Sequence, residues 1–478
     1  NTAITQIWVA NGTYYPAFSA DSLLCTPANP RDKAFVLVNN VKVYGGFAGG
    51  ETLLSQRNPV TNVTILSGDI GTTGVITDNC YHVLISSGTV GTALLDGFTI
   101  TSSNGNASGT ITVNSNTVTR NLGGGVSLFS SSPTITDCRI VTNSSGTGGG
   151  IYINASAPAI SNSYFSGNTA INGGGLFNLS SSNTSIDNSS FEANTATSNG
   201  GGIYNNGICD ITNSIISGNT ASSGSGGGLV NVTPTAAMTV TNCLISGNAS
   251  FNSGGILSSS GGIIRISNCT VAANRGGANG GGISFGNTPV SAPVINNSIF
   301  YGNKEGTTAS NIFVAAASTS PTVSYSDIEG GFAGTNNIST DPLFTSPSTA
   351  AAAPTIAGDY SLQRCSPAIN EGNNALIPGG ITDDVLGNPR IALGNVDMGS
   401  YEMTYTLLNI VPNASGVVFV DFFKSGNGSS WVNACSNVAD ALLAADDNPA
   451  IKEIWVAKGT YYPKYNRFAG LCSPNDRN

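Results

Sequence analysis

The sequence predicts an all-β protein built as a parallel β-helix, a solenoid of about 25–29 residues per lap with a small cap that contains one short helix. Three observations predict this fold. Two short motifs return once per lap between about residues 120 and 305. Their apolar residues alternate with Ser, Thr or Asn, which is the two-residue period of a strand. The density of Gly and Asn argues against helix in this region.

The first motif begins with Ile or Val and ends with Asn, as in "ITDCRIVTN" at Ile135–Asn143. Successive terminal Asn residues are 25, 26, 25, 29, 26 and 29 positions apart. Laps of similar length place these residues above one another, about 4.8 Å apart. Asn tolerates the left-handed conformation and hydrogen-bonds along a stack of its own kind, so we expect this amide column to turn a corner of each lap. The amide column consists of Asn143, Asn168, Asn194, Asn219, Asn248, Asn274 and Asn303.

The second motif is a run of two or three Gly residues before an aliphatic residue, and it is interleaved with the first. We expect a tight corner that needs positive φ and close backbone approach. A phosphate-binding loop is the competing interpretation, but no P-loop Lys follows and the run returns in every lap. The last glycines of the runs are Gly125, Gly150, Gly175, Gly202, Gly228, Gly255 and Gly282.

Two more columns follow from the same alignment. The first predicts an inward aliphatic ladder, and it consists of Ile135, Ile160, Ile186, Ile211, Val240, Ile266 and Ile295. The second, three positions later, consists of Cys138, Ser163, Ser189, Ser214, Cys243, Cys269 and Ser298. Because Cys replaces Ser there, we expect this small column to be buried, with Cys243 and Cys269 near enough to touch.

Composition excludes several functions. Only 9% of the residues are charged, against about 25% in ordinary soluble domains. The 17 Lys and Arg residues form no basic stripe, so nucleic acid and anionic membranes are not expected partners. No apolar run of about 18 residues predicts a membrane span. Nine Cys without CxxC pairs, together with the single residue His82, do not predict zinc, and we expect no cofactor.

One long phrase occurs twice. "ITQIWVANGTYYP" at Ile4–Pro16 returns as "IKEIWVAKGTYYP" at Ile451–Pro463, a shift of 451 − 4 = 447 positions. The register holds without a gap as far as Cys25 and Cys472, although the residues between have diverged. We interpret this as the duplication of a large unit, in a sequence that starts and stops inside a unit.

Several stretches outside the laps complete the pattern. They are "VKVYGGFAGGETLLSQRNP" (Val41–Pro59), "TILSGDIG" (Thr64–Gly71), "LLDGFTIT" (Leu94–Thr101), "DPLF" (Asp341–Phe344), "SPAINEG" (Ser366–Gly372) and "GNPRIALGNVDMGSYE" (Gly387–Glu402). With "IWVANGTYYP" and the "NGGGI" laps, they make nearly the whole chain resemble the bacterial right-handed parallel β-helix repeat proteins of the choice-of-anchor Q kind. That family consists of large proteins that are secreted or lie at the cell surface.

The resemblance implies a domain order. Residues 1–404 would be a β-helix unit that lacks part of its own N-terminal cap, with regular laps over about 120–305 and a closing segment over about 337–402. Residues 405–416 would be a linker, and 417–478 the N-terminal cap of a following tandem unit, with "VADALLAA" (Val438–Ala445) as its helix. Cys435 and Cys472 would lie in that one cap and could form a disulfide, whereas Cys25 would lack its counterpart.

The columns also bear on enzyme function. A polysaccharide lyase or glycoside hydrolase on this fold needs clustered carboxylates, with an Arg or Lys base in a lyase. Asp137 is followed one lap later by Asn162, then by Asp187 and Asn213, so no column places carboxylates on adjacent laps. We therefore predict no catalytic residue, and a structural role for His82.

Three functional hypotheses remain. The first is a structural component of a giant extracellular or cell-surface filament, whose partners are neighbouring copies of the unit, joined covalently in tandem or docked end to end. The second is a surface adhesin that binds glycans, and aromatic side chains such as Tyr14, Tyr15, Tyr44, Tyr461 and Tyr462 could stack on sugars. The third is a polysaccharide lyase or glycoside hydrolase.

Overall fold

Four sheets run along the stacked laps of the chain. The computed structural model describes residues 4–286, 293–363, 366–392, 394–403 and 410–461. Each strand of the laps pairs in parallel with its equivalent one lap later, as in Ile135 with Ile160 and Ile160 with Ile186. The chain is therefore a parallel β-helix, as predicted. A lap contains up to four short strands, because even the two-residue corners pair from lap to lap.

The strands of each sheet are given in their spatial order. The first sheet contains Gln6–Ala10, Lys42–Phe47, Leu94–Asp96, Thr134–Thr136, Ala159–Ser161, Asn183–Asp187, Ile208–Thr212, Ala237–Thr241, Ile263–Ser267, Val294–Asn296, Thr322–Ser324 and Gly334–Thr335. The second sheet contains Gly12–Tyr14, Thr64–Ser67, Phe98–Thr101, Arg139–Val141, Tyr164–Ser166, Ser190–Glu192, Ile215–Ser217, Leu244–Ser246, Thr270–Ala272, Ile299–Tyr301 and Asp327–Ile328. The third sheet contains Phe35–Val36, Leu84–Ser87, Val126–Phe129, Ile151–Asn154, Leu176–Asn178, Ile203–Asn205, Leu229–Val232, Ile256–Ser259, Ile283–Phe285 and Ile312–Val314. The fourth sheet contains Thr308–Ala309, Lys304–Glu305, Arg275–Gly276, Ala249–Ser250, Thr220–Ala221, Thr195–Asn199, Thr169–Asn172, Ser144–Ser145 and Asn104–Gly105.

The remaining elements lie outside these four sheets. Three strand pairs are Thr110–Val113 with Asn116–Thr119, Phe344–Ser346 with Asp359–Leu362, and Val417–Val420 with Glu453–Val456. The 3-10 helices are Pro30–Asp32, Leu54–Gln56, Ile76–Asp78, Ala350–Ala352 and Asn374–Leu376. The α-helix Val438–Asp447 is capped by the Asn437 side chain, which accepts a hydrogen bond from the Ala439 amide.

The interior is a stack of matched side chains. The aliphatic ladder is buried throughout, and the rings of Phe165 and Phe191 stack with their centroids 4.2 Å apart. In the small column, the Cys138 amide donates to Ser163 Oγ at 3.3 Å. The Cys243 amide contacts Cys269 Sγ at 3.4 Å, and both cysteines are free thiols. Ser and Cys are thus equivalent in this column, because either side chain can accept a hydrogen bond from the backbone amide of the preceding lap.

The amide column links three laps at each step. Asn194 donates from Nδ2 to the Phe165 carbonyl of the previous lap at 2.9 Å, and to Asn219 Oδ1 of the next lap at 3.0 Å. Its backbone amide also donates to Asn219 Oδ1 at 3.0 Å. Each buried side-chain amide therefore has partners above and below without any charge.

The predicted left-handed conformation of this column is wrong. The positive φ falls on the residue before each Asn, because the Asn side chain has to point into the lap to reach both neighbours. These residues are Thr142, Gly167, Ala193, Gly218, Gly247, Ala273 and Gly302.

The first and the last glycine of each run have different structural roles. In most runs the first glycine has positive φ, as in Gly173 at +64° and Gly200 at +67°. The last glycine of the run allows close approach instead: a Cβ on Gly175 would lie 2.6 Å from the carbonyl oxygen of Gly202. A side chain there would collide with the next lap.

The closing segment folds back against the outside of the second sheet. The Ser400 amide donates to Thr270 Oγ1 at 3.0 Å, and Arg390 Nη1 donates to Asn242 Oδ1 at 3.0 Å. Apolar side chains of both partners form a second core beneath these contacts, including Leu244 and Ile299 from the laps. One half of the outer face of the second sheet is thereby covered.

Candidate functional site

The open half of the same face carries a groove of about 670 Å³. Its floor is the outer face of the strands Phe98–Thr101, Arg139–Val141 and Tyr164–Ser166, and its wall is the segment that follows the 3-10 helix Leu54–Gln56. Alternation along each strand turns Arg139 and Tyr164 outward while Ile140 and Phe165 point into the core. The groove therefore collects polar and aromatic side chains from successive laps.

Two arginines give the groove its positive charge. Arg57 pairs with Asp96, with Nη2 at 2.6 Å from Oδ1, and donates from Nη1 to the Gly45 carbonyl at 3.2 Å. Arg139 lies over the ring of Tyr164, 4.4 Å from its centroid, and the described residues provide it with no ion-pair partner. Of the two, Arg139 is the cation whose charge is available to a ligand.

Tyr164 is held in place by a carboxylate. Its hydroxyl donates to Glu192 Oε2 at 3.0 Å, and Arg139 covers one part of its ring. An amide follows in the same region, since Asn188 Nδ2 donates to Asn162 Oδ1 at 2.7 Å. An aromatic ring flanked by amide and guanidinium donors is the kind of surface on which a sugar ring stacks and hydrogen-bonds.

Asp96 is a buried carboxylate that pairs with Arg57 of the groove wall. Burial raises its pKa, the hydrogen bond from Arg57 opposes that shift, and the negative charge of Asp137 adds to it. Asp96 pairs with Thr136 on the next lap, directly beside Asp137. The sequence columns did not predict that Asp96 and Asp137 lie on adjacent laps, because Asp96 precedes the regular laps.

The predicted column of Asp137, Asn162, Asp187 and Asn213 is wrong at its third position, which is occupied by Asn188 and not by Asp187. Asn188 is the residue that shares the left-handed conformation, with φ of +43° against +50° for Asp137 and +48° for Asn162. Asp187 instead pairs with Ser161 in the neighbouring column. The residue with the left-handed conformation defines the alignment of the laps. Because residues 187 and 188 are both polar, the sequence alone did not show which of them belongs to the column.

The other sequence-predicted residues lie elsewhere. The amide column and the last glycines line the inside and the corners of the laps. Tyr14 and Tyr15 are exposed at the N-terminal end, Tyr44 is buried, and Tyr462 lies outside the described residues. The lining of the groove includes none of Tyr14, Tyr15 and Tyr44.

His82 is buried in the solenoid. Its Nδ1 lies 2.6 Å from the Gly123 carbonyl, and burial lowers the pKa of the ring to about 4. A neutral imidazole with one backbone partner agrees with the structural role that the sequence predicted.

The cysteines of the predicted cap are only partly described. Cys435 is buried and forms no disulfide with another described residue, and Cys472 lies outside the described residues. Cys25 is exposed and likewise has no disulfide partner among the described cysteines. The Cys435–Cys472 pairing therefore stays a prediction.

A cluster of buried charges holds the closing segment, and sequence analysis missed it. Arg390 is buried, with Nη2 donating to the carbonyls of Asp397 at 2.9 Å and Gly399 at 2.8 Å, and lying 3.6 Å from Glu402 Oε2. Burial raises the pKa of Asp397 and of Glu402. The only signal was the acidic and basic spacing in "GNPRIALGNVDMGSYE".

This cluster is structural. Both oxygens of Asp397 accept backbone amides, from Asn370 at 2.7 Å and Met403 at 2.6 Å. Those of Glu402 accept the amides of Ala392 at 3.2 Å and Asp397 at 3.0 Å. Among the described residues there is no group of three His, Cys, Asp or Glu side chains placed to hold a metal ion. Over the same part of the chain, no helix is both long and apolar enough to cross a membrane.

Comparisons with known proteins place the laps. The family model described as "Right handed beta helix region" matches residues 53–191 and 149–328. No curated protein matches the chain. Among solved structures, the crystal structure of pectate lyase Pel9A is 12% identical with a TM-score of 0.37, over 84% of this chain and 89% of that one. At that distance it carries no argument about activity.

Proposed function

Because the chain belongs to the right-handed β-helix family, we propose that it is a structural module of a giant extracellular or cell-surface filament built from tandem units, of the choice-of-anchor Q kind. One observation supports the proposal above the others. The duplicated phrase forms an edge strand in both places: Gln6–Ala10 ends the first sheet, and Glu453–Val456 pairs with Val417–Val420. A unit that begins again after the closing segment is what a tandem array requires.

The two copies of the phrase also have the same local structure. Trp8 Nε1 donates to Gln6 Oε1 at 3.2 Å, and Trp455 Nε1 donates to Glu453 Oε2 at 2.7 Å. The tyrosine at the end of the phrase hydrogen-bonds the same backbone carbonyl in both copies, Ala10 and Ala457, at 3.1 Å in each. Two equivalent starts within one chain favour repetition of the unit.

The intact mass of the natural polypeptide tests the proposal. It should be measured by mass spectrometry after reduction and denaturation, because neither disulfides nor docking then contribute. We expect several hundred kilodaltons, as in a covalent array. A mass near that of this chain, 48.3 kDa, would contradict a covalent array.

The groove supports a second candidate, a glycan-binding adhesin. A ligand there would meet the Arg139 guanidinium and the Tyr164 ring, while Asp137 disfavours strongly acidic sugars. A lyase or hydrolase at the same place is the third hypothesis, and release of shortened glycan would reveal it.

Binding to a glycan array tests the second candidate. We expect saturable binding by the unmodified chain and its loss in Tyr164→Ala, with Phe251→Ala, an exposed aromatic residue outside the groove, as the matched control. Equal binding by all three chains, or by none, would contradict a site in the groove.

A further inference from the structure

One polar column runs along the outside of the solenoid, at the corner between the first and the second sheet. Its residues share the left-handed conformation, with φ between +43° and +81°. Successive members lie one lap apart, about 4.8 Å along the axis, so the column offers polar side chains at a fixed spacing. This corner column consists of Gly97, Asp137, Asn162, Asn188, Asn213, Asn242, Asn268 and Asn297.

The segment that follows the 3-10 helix Leu54–Gln56 covers one end of the corner column. A Cβ on Gly97 would lie 2.6 Å from Arg57 Nη1 and 3.0 Å from Pro59 Cγ. The segment therefore lies directly on this lap, which has no room for a side chain. Val60 of the same segment lines the groove and is 85% exposed, so this end of the column has an apolar wall.

The closing segment covers the other end of the corner column. Asn242 Nδ2 donates to the Asp383 carbonyl at 2.8 Å, and Arg390 Nη1 donates to Asn242 Oδ1 at 3.0 Å. Asn242 is buried, whereas the four preceding members of the column are exposed or partly exposed. The part of the column from Asp137 to Asn213, here named the open corner, therefore spans four laps and about 15–20 Å.

The second sheet provides an aromatic ring beside the open corner. Arg139 and Ser190 pair with Tyr164 from opposite sides, one lap before it and one lap after it. The Arg139 guanidinium lies over the Tyr164 ring, 4.4 Å from its centroid. Ser190 is too small to cover the ring from the other side. A sugar at the lap of Ser190 can therefore stack its C–H groups on Tyr164.

The amides of the open corner keep hydrogen-bonding groups for a ligand. Asn188 Nδ2 donates to Asn162 Oδ1 at 2.7 Å. The described residues provide no partner for Asn162 Nδ2, a donor, or for Asn188 Oδ1, an acceptor. Because a sugar hydroxyl both donates and accepts hydrogen bonds, these groups match hydroxyls on successive sugars of a chain.

The charge of these laps disfavours an acidic ligand. Between positions 137 and 213, the sequence has one basic residue, Arg139, and a formal charge of 1 − 4 = −3. The four acidic residues are Asp137, Asp187, Glu192 and Asp210. A polyanionic glycan would be repelled by this excess of carboxylates, whereas a neutral glycan would not.

We propose that the open corner binds a neutral, linear oligosaccharide of about four sugar residues that lies along the solenoid axis. One sugar per lap places hydroxyls at the amides of Asn162 and Asn188, and C–H groups at Tyr164 and at the apolar wall. An extended β-linked glycan advances for each sugar by a distance close to the lap spacing of about 4.8 Å. This inference rests on the second candidate function, glycan binding in the groove, and adds the class and the length of the ligand.

Calorimetric titration of the full chain tests the length and the charge of the ligand. The probes are cello-, manno- and N-acetylated chito-oligosaccharides of two to six sugars, which are neutral, and oligogalacturonides of the same lengths, which are acidic. In at least one neutral series, we expect the affinity to rise by about tenfold or more from the disaccharide to the tetrasaccharide. From the tetrasaccharide to the hexasaccharide, the affinity should change by less than about twofold, because both ends of the open corner are covered.

A substitution at the centre of the open corner tests the position of the site. Asn188→Gly removes the amide and keeps the left-handed conformation, so the tetrasaccharide should bind about tenfold more weakly while the melting temperature stays close to that of the unmodified chain. Asn336→Gly is the matched control, because Asn336 is also exposed, has φ of +52° and lies outside the groove. Its affinity should stay within about twofold of the unmodified chain. An equal loss in the two variants would contradict a site at the open corner.

The outcomes separate the failure of this inference from the failure of the proposed function. An affinity that keeps rising to the hexasaccharide, or tighter binding of the oligogalacturonides, would overturn the neutral ligand of about four sugars and leave glycan binding in place. Binding of none of the four series would overturn both. The mass of the natural polypeptide, which tests the filament, does not depend on any of these results.

Discussion

The two halves of the outer face of the second sheet have the same backbone and opposite surfaces. In the open half, the outward column includes Arg139, Tyr164 and Ser190, which remain at least partly accessible. Later in the same column, Leu244 and Ile299 are buried by the closing segment. The interior beneath both halves follows one pattern of aliphatic and small residues.

The difference shows that the repeated inward residues determine the backbone fold of the laps, whereas the outward residues determine whether a surface is covered by the closing segment or remains open. Neutral amides and hydroxyls stabilise the interior, whereas the covered half depends on the buried charges around Arg390. We therefore expect changes in the covered half to cost the most free energy of unfolding, and changes in the open half to cost little.

The largest effect is expected for Arg390→Met. Three buried carboxylates, Asp384, Asp397 and Glu402, would lose their only described cation, which costs about 3–5 kcal/mol of unfolding free energy. Urea denaturation followed by circular dichroism would measure the loss, and limited proteolysis would locate it. Adding Glu402→Gln should restore part of it; no restoration would contradict charge as the cause.

The next effect concerns pH at Asp327, the last residue of the covered column. Burial raises its pKa from 3.8 to about 7, while one oxygen accepts the Thr340 amide at 3.2 Å. The unfolded chain releases this proton first as pH rises, so the contribution of the protonated group is full below about pH 4 and lost above about pH 7. Between pH 5 and 8 the chain should lose about 3 kcal/mol through this group.

The substitution Asp327→Asn removes the contribution of this carboxyl group to the pH dependence of stability. The variant should lose less unfolding free energy between pH 5 and 8 than the unmodified chain, as measured by urea denaturation at both values. An identical pH dependence in the two proteins would contradict the assignment to Asp327.

A smaller contrast compares one apolar and one aromatic position of the outward column. Leu244→Ser should cost about 2 kcal/mol, because a buried side chain loses its apolar contacts with the closing segment. Tyr164→Ser in the open half should change the unfolding free energy by less than about 1 kcal/mol. Equal losses from the two substitutions would remove the distinction between the halves.

The smallest effect is expected beneath both halves, in the small column. Cys138→Ser and Cys243→Ser each place a hydroxyl where other laps already have one, so we expect changes below about 1 kcal/mol. In Ser163 the hydroxyl donates to the Ser161 carbonyl at 2.7 Å, and the new serines can do the same. A large loss from either variant would show that sulfur has a packing role that Ser cannot fill.

The sequence predicted the parts of the fold that repeat. The aliphatic ladder and the solenoid followed from spacing alone, because each lap meets the same neighbours. The left-handed position was misplaced by one residue, since Thr142 or Ala193 gives no such signal in a single sequence. The groove was not predicted, because Arg57 precedes the regular laps and lines the same groove as Arg139 only in the folded chain.

The amide column has a consequence for the history of the molecule. From Asn168 to Asn303, each Asn meets another Asn above and below, so recombination that inserts or deletes one whole lap leaves every remaining amide with a partner. The number of laps is then free to drift between lineages. That freedom ends where the closing segment hydrogen-bonds to Asn242, Thr270 and Asn297. Removal of one of those laps would leave a group of the closing segment without its hydrogen-bond partner. Length variation among relatives should accordingly fall before residue 242, and the last laps should keep their count.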